Sequence, residues 1–392
     1  MEAVSRFSAR TAWDSTESSY AAAVREARAS GSPLFDLTVS NPTRCGFQYD
    51  SEMFLRPLAD PRALVYDPDP RGLASAREAV AGYYAGHRAV LSPDDLFLTT
   101  STSESYSSLF RLLCDPGDEV LVAQPSYPLF DFLATLDDVQ LRPYPLFYDH
   151  GWWIDFDRLE RAIGPKTRAV IVVHPNNPTG HWTGLAERDR LEDICVRHNL
   201  ALIVDEVFLD YALDPSAARA HSFARGPHPA LTFVLSGLSK IAGLPQMKAA
   251  WLAVLGPEAA KTAALTRLEI IADTFLSMNA PGLLALPSWL AHRAGMQAQI
   301  LTRARANLAT LMDYSAAGRG GLHVLPPDAG WSAVLSLAGC VGEAECAERL
   351  VRQRGVIVHP GSFYGMAETQ RIVVSLIGRE EELERGIQAA IA

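Results

Sequence analysis

An α/β fold with a mostly parallel sheet sandwiched by helices follows from three observations. From residue 96 onward, strand-like and helix-like stretches alternate. Residues 168–173 and 201–205 are apolar almost throughout, as strands buried on both faces require. The residues with chemical potential (101–103, 176–180, Asp205 and Lys240) each follow a predicted strand, where ligands of parallel sheets sit.

In order along the chain, residues 20–28 are rich in alanine and predict a helix, stopped by Gly31 and Pro33. Residues 34–39 predict a strand, and 40–44 and 66–72 turns. Residues 73–86 predict a helix. Strands are then expected at 96–100, 119–123, 139–143, 168–173, 201–205 and 232–236. Helices are expected at 104–113, 131–136 and 185–198. After about residue 255 the pattern becomes helical, over 259–271 and 283–314, the second with a kink at Pro287. A smaller α+β unit closes the chain, with strands near 332–337, 355–358 and 371–377 and helices at 342–353 and 380–391.

The chain has 392 residues, enough for two domains, and its 48% hydrophobic and 20% charged content is that of a globular protein. A net charge of −10 argues against nucleic acid or an acidic membrane surface as partner. Cys45, Cys114, Cys195, Cys340 and Cys346 are scattered, without metal-ligand spacing, and read as reduced thiols of a cytoplasmic protein. No apolar run has the length of a signal or a membrane span.

Lys240 lies among Ser, Gly, Ile, Ala and Leu after the strand 232–236. Burial disfavours its charged form and makes the amine a nucleophile suited to carbonyl compounds, pyridoxal phosphate among them. The plain alternative is a surface lysine. Asp205 ends a buried strand, where a carboxylate needs a positive partner or serves as a helix cap. Ser101, Thr102 and Ser103 between strand and helix suit a phosphate, or simple capping. Residues 174–180, with two prolines, two asparagines and a glycine, fix a rigid turn that presents Asn177. Tyr127 suits stacking on a flat ring or a plain place in the core, and Arg371 two-pronged binding of a carboxylate or a surface position at a strand start.

The joint order of these stretches resembles fold-type I pyridoxal-phosphate enzymes of the class I/II aminotransferase group, over nearly the full chain. The most specific matches are Pro175-Asn-Asn-Pro-Thr-Gly180, Val204-Asp-Glu-Val207, Ser239-Lys240 with Gly243, Asp115-Pro-Gly-Asp-Glu-Val120, and Arg371. The resemblance implies a large cofactor domain (49–285), a small C-terminal domain (286–392) and an N-terminal segment (1–48) packed with the latter. It implies that Lys240 holds pyridoxal 5'-phosphate covalently and shuttles a proton, while Asp205 pairs with the ring nitrogen. Asn177 is implied to reach the phenolic oxygen and the substrate carboxylate, and Tyr127 to stack on the ring. Ser101, Thr102, Ser103, Ser239 and Lys248 are implied to cradle the phosphate. Tyr66 is implied to reach the phosphate of a neighbouring subunit, hence a homodimer, and Arg371 to clamp the substrate carboxylate. The expected activity is amino transfer from an amino acid to a 2-oxo acid, with ping-pong kinetics.

Four positions depart from the pattern: Phe208 stands for a tyrosine, Lys248 for an arginine, and Ser101 and Ser40 for glycines. They suggest a divergent branch. The same apparatus also serves elimination, as in carbon–sulfur lyases, and a cofactor-binding regulatory protein without turnover is a further alternative. Residues 273–279 contain no arginine for a distal carboxylate; Arg44 is either the cation for it or a plain exposed arginine, while Phe275, Leu276 and Phe363 suggest an apolar or aromatic side chain.

Overall fold

The computed structural model describes residues 7–214, 221–276, 278–338, 343–366 and 370–392. A two-residue β1 (Phe35–Asp36) precedes the strands β2 (Leu96–Thr99), β3 (Glu119–Gln124), β4 (Gln140–Tyr148), β5 (Trp152–Ile154), β6 (Thr167–Val173), β7 (Ala201–Asp205), β8 (Thr232–Gly237) and β9 (Ala250–Leu255). They are followed by β10 (His323–Leu325), β11 (Ser332–Ser336), β12 (Val356–Ile357), β13 (His359–Pro360) and β14 (Arg371–Ser375).

Strands β2 to β9 form one sheet in the order β2-β9-β8-β7-β6-β3-β4-β5. The pairs from β8 through β7, β6 and β3 to β4 are parallel; β9 runs antiparallel to both β8 and β2, and β5 antiparallel to β4. Alternation along each strand divides its side chains between two cores. Val170, Val172, Leu202, Val204, Val234 and Trp251 face one core, with Leu286 and Trp289 of the helix Ala280–Ala291. Ile171, Ile203, Phe233, Leu235, Leu252 and Val254 face the other, with Tyr106, Leu109 and Phe110 of the helix Thr102–Leu113. A third core joins both ends of the chain: Tyr20, Ala23 and Leu37 pack with Ile300, Val324, Leu335, Val374 and Ile387. Around it lie the antiparallel sheet β10-β11-β14-β13 and the parallel pair β1-β12.

Several expectations are corrected. The strand predicted over 34–39 shrinks to β1, because only two of its residues find partners in β12. The helix predicted over 283–314 is two helices, Ala280–Ala291 and Arg293–Ala316, broken at His292 (φ −100°, ψ 5°) rather than at Pro287. The helix runs through Pro287 because Leu283, Leu286, Trp289 and Leu290 bury its apolar face and offset the lost backbone bond. Strands β5, β9, β10 and β13 lie in stretches left unassigned from sequence. Cys346 is disulfide-bonded, which corrects the expectation of five reduced thiols; spacing alone does not reveal which thiols approach one another. Cys340, residue 342 of one predicted helix and Ser277 of the stretch 273–279 lie outside the described residues. Cys45, Cys114 and Cys195 are free. No helix among the described residues is long and apolar enough to cross a membrane.

Gly180 ties the large sheet to the loop before β11. Its φ is +68°, its carbonyl accepts from Ala329 N at 3.2 Å, and an added Cβ would strike Pro327 and come within 2.5 Å of the Ala329 carbonyl. Gly180→Ala is therefore expected to cost about 2 kcal/mol or more in urea denaturation. A loss below about 0.5 kcal/mol, the level of a neutral surface change, would contradict this tie.

Candidate active site

Strand register gathers the candidate residues at one end of the large sheet. Thr99 of β2 and Gly237 of β8 both lie opposite Ala250, the first residue of β9. Residues 101–103 after β2, Lys248 before β9, and Ser239 and Lys240 after β8 therefore meet across two strand spacings, about 10 Å. Asp205 ends β7 opposite Leu235 on one side and Val173 on the other, so residues 174–180 emerge beside it. Gly237 allows the close approach of β9, since a Cβ there would sit 2.9 Å from that of Ala250.

Lys240 occupies a single helical turn, Leu238–Ile241. Its Nζ makes no hydrogen bond or ion pair among the described residues. It lies 5.1 Å from the ring centre of Trp331 and 5.8 Å from that of Phe208. Burial lowers its pKa, and the Asp205 charge partly restores it. Phe208 therefore shapes an aromatic wall with Trp331, the rings 5.1 Å apart and edge to face. The Tyr211 hydroxyl donates to the Lys240 carbonyl and fixes the turn from below.

Asp205 is 7% exposed. It accepts from Val207 N at 3.1 Å and from the Tyr106 hydroxyl at 3.2 Å. Burial is the largest influence and raises its pKa to about 6; the two hydrogen bonds and Lys240 oppose it. Such a carboxylate has room for one cationic N–H. Tyr127 leaves 41% of its surface open, yet burial first and Asp205 second raise its phenol above the usual range.

Ser101 caps the helix Thr102–Leu113 through Glu104 N at 3.1 Å, so the capping reading holds for that side chain. The half-buried hydroxyls of Thr102, Ser103 and Ser239 make no hydrogen bond among the described residues, and the helix N-terminus leaves its first N–H groups free for an anion. Lys248 is exposed, with φ 51°. Asn177 Oδ1 accepts from Ser332 at 3.5 Å, which brings the 174–180 turn against β11. Arg371 opens β14 and rests over the Trp152 ring at 5.3 Å. Burial lowers its pKa.

Other candidates stand apart from any contact with Lys240. Tyr66 is 82% exposed. Arg44 is exposed in the turn Pro42–Arg44, and the Ser40 hydroxyl donates to the Thr38 carbonyl at 3.1 Å. Phe275 and Leu276 are exposed, and Phe363 shares a cleft of about 230 Å³ with Tyr127. Sequence reasoning missed Trp331, Tyr106 and Trp152. Tyr106 was accessible in principle, one helical turn beyond Thr102, whereas the two tryptophans reach the site only through tertiary packing.

The donor set fits a phosphorylated aromatic aldehyde: an unpartnered amine, a buried acid with spare accepting capacity, and unpartnered hydroxyls at a helix N-terminus. The family model described as aminotransferase class I and II matches residues 57–389. The glutamate–pyruvate aminotransferase AlaA of Haemophilus influenzae is 30% identical over 254 residues, 64% of this chain and 62% of that protein's own length. Capreomycidine synthase of Streptomyces vinaceus is 32% identical over 76% of this chain and 74% of its own. Among solved structures, an alanine aminotransferase from Pyrococcus furiosus superposes with a TM-score of 0.89 over 98% of both chains at 20% identity, a likeness of fold.

The Asp205 pKa has a consequence for the cofactor-free protein. A folded-state value of about 6 exceeds the unfolded carboxylate's ~3.9, so the folded state binds the extra proton and stability falls as pH rises through that window. Asp205→Asn is expected to gain about 3 kcal/mol over the parent at pH 8 and close to nothing at pH 4, read by urea denaturation. Equal stability of the two proteins at pH 8 would contradict the burial argument.

Proposed function

This chain belongs to the class I and II aminotransferase family, and on that premise we propose that it transfers an amino group from an amino acid to a 2-oxo acid. The family depends on pyridoxal 5'-phosphate, whose conjugated ring takes up the electrons left when a substrate Cα–H bond breaks. The observation that carries the proposal is the Lys240 amine, unpartnered at the sheet end within the field of Asp205.

In this reading Lys240 Nζ would hold the cofactor by its aldehyde carbon and, as a free amine, would take the substrate α-proton as general base. Its lowered pKa supports that work, because a neutral amine accepts a proton. Asp205 would hold a proton on the cofactor's ring nitrogen. Thr102, Ser103, Ser239 and Lys248 would hold the phosphate, Lys248 as a point charge without an arginine's fork, while Ser101 would serve it by capping the helix N-terminus beneath it. Tyr127 covers the ring face. Asn177 serves the phenolic oxygen without help from position 208, where phenylalanine has no hydroxyl. Arg371 clamps the substrate carboxylate, and Ser40 lines the pocket.

We further assign Tyr66 to the phosphate of a second subunit in a homodimer; the exposed neighbours Leu64 and Val65 support a covered face there. The division into 1–48, 49–285 and 286–392 is supported by the core that joins both chain ends. The free thiols Cys45, Cys114 and Cys195 support a cytoplasmic location, and the bonded Cys346 counts against it. The names of the relatives point to alanine, glutamate and pyruvate as first substrates to try, and Arg44 is the candidate cation for a distal carboxylate.

The visible absorbance of the cofactor-loaded protein is expected to change on adding one such amino acid and return on adding a 2-oxo acid, with parallel double-reciprocal plots. Ammonia release without an acceptor would contradict amino transfer and indicate elimination. Lys240→Ala is expected to lower turnover by at least about 10³-fold. Arg44→Ala is expected to weaken dicarboxylic substrates selectively; unchanged selectivity between glutamate and alanine removes Arg44 from the pocket.

A further inference from the structure

Arg371 poses a physical problem. Its guanidinium is half-buried, and among the described residues no carboxylate or carbonyl accepts from it. A buried, unpaired cation is costly, so something else must hold it. The contact the structure provides is the face of Trp152, 5.3 Å from ring centre to guanidinium carbon, within the range of a cation–π interaction.

Trp152 is itself held firmly. It opens β5 directly opposite Tyr148 of β4, and the two rings pack edge to face at 5.3 Å. Only 6% of it is exposed, and its Nε1 is buried without a hydrogen-bond partner among the described residues. The Tyr148 hydroxyl makes no hydrogen bond among the described residues, and the Arg371 charge lowers its otherwise burial-raised pKa, which places it in the same field. The β4–β5 hairpin is the edge of the large sheet, whereas Arg371 opens a strand of the small one. The contact therefore crosses between the two sheets.

A stacked guanidinium uses its face and leaves all five N–H donors in its plane. An open planar edge fits a carboxylate two-pronged. We propose that Trp152 is the platform that positions Arg371 for the substrate α-carboxylate. This rests on the assignment of Arg371 made under the proposed function. Trp152 acts through Arg371 and is thus a positioning residue. Its ring face, rather than its N–H, supplies the effect.

The test uses cofactor-loaded protein and 3-phenylpropionate, a carboxylate with no amino group to react, titrated by calorimetry. Trp152→Met keeps a flexible apolar filling and removes the aromatic face; it is expected to weaken binding about tenfold. Trp152→Phe keeps a face and is expected to stay within about threefold of the parent. In the double variant with Arg371→Lys, the loss is expected to be no greater than for Arg371→Lys alone, because the platform has nothing left to aim. With an amino acid substrate, Trp152→Met should raise KM and leave kcat nearly unchanged.

Full additivity with Arg371→Lys, or parent-like binding by Trp152→Met, overturns the proposal. A loss in Trp152→Phe as large as in Arg371→Lys also overturns it, and this arm decides even if Trp152→Met does not fold. Absence of any carboxylate binding by the parent overturns both clamp and platform. The calorimetric probe needs no turnover, so failure of amino transfer is a separate result.

Discussion

The structure depends on a half-buried lysine and a buried carboxylate at one end of one sheet, close enough to feel each other's charge without touching. Asp205 is pinned by Val207 N and Tyr106, and Lys240 is faced by Trp331 and Phe208. Each is costly to bury in its charged form, and neither relieves the other by direct contact. Their separation is what a flat, charged ring placed between them would use: the acid for its nitrogen, the amine for its carbonyl carbon.

The rest of the fold maintains that separation. Parallel strands β6, β7 and β8 bring the 174–180 turn, Asp205 and Lys240 to one edge. The antiparallel β9 then delivers Lys248 to the same edge from the opposite direction. The small unit packs against it through contacts that include Gly330 N to the Tyr211 carbonyl at 2.8 Å, Ala329 N to Gly180, Ser332 to Asn177, and Arg371 on Trp152. The loop that carries Trp331 is thus tied to the turn that carries Asn177 and to the segment after Asp205.

Much of this was legible in sequence because it is local. Buried parallel strands announce themselves as apolar runs, and Lys240 stands out in a stretch of small and apolar residues. The 174–180 turn declares itself by its prolines. What was not legible depends on partners far along the chain. Strand β9 looks like any apolar stretch until its pairing with β2 and β8 is known. Trp331 and Trp152 read as core aromatics, and only tertiary packing places them over Lys240 and under Arg371. The break at His292 leaves no mark in the sequence, where Pro287 offers a more obvious but incorrect place for it, and the bonded state of Cys346 leaves none in cysteine spacing. Tyr106 is legible in the sequence, because it lies one turn into a helix that starts beside the strand ends.

The central claim is that Lys240 is where the cofactor is held. Borohydride reduction of the pyridoxal-phosphate-loaded protein makes that bond permanent, and peptide mass mapping locates it. The account predicts one added pyridoxyl group, on the peptide that contains Lys240. Label on Lys248 or any other lysine, or no label after loading, would contradict it.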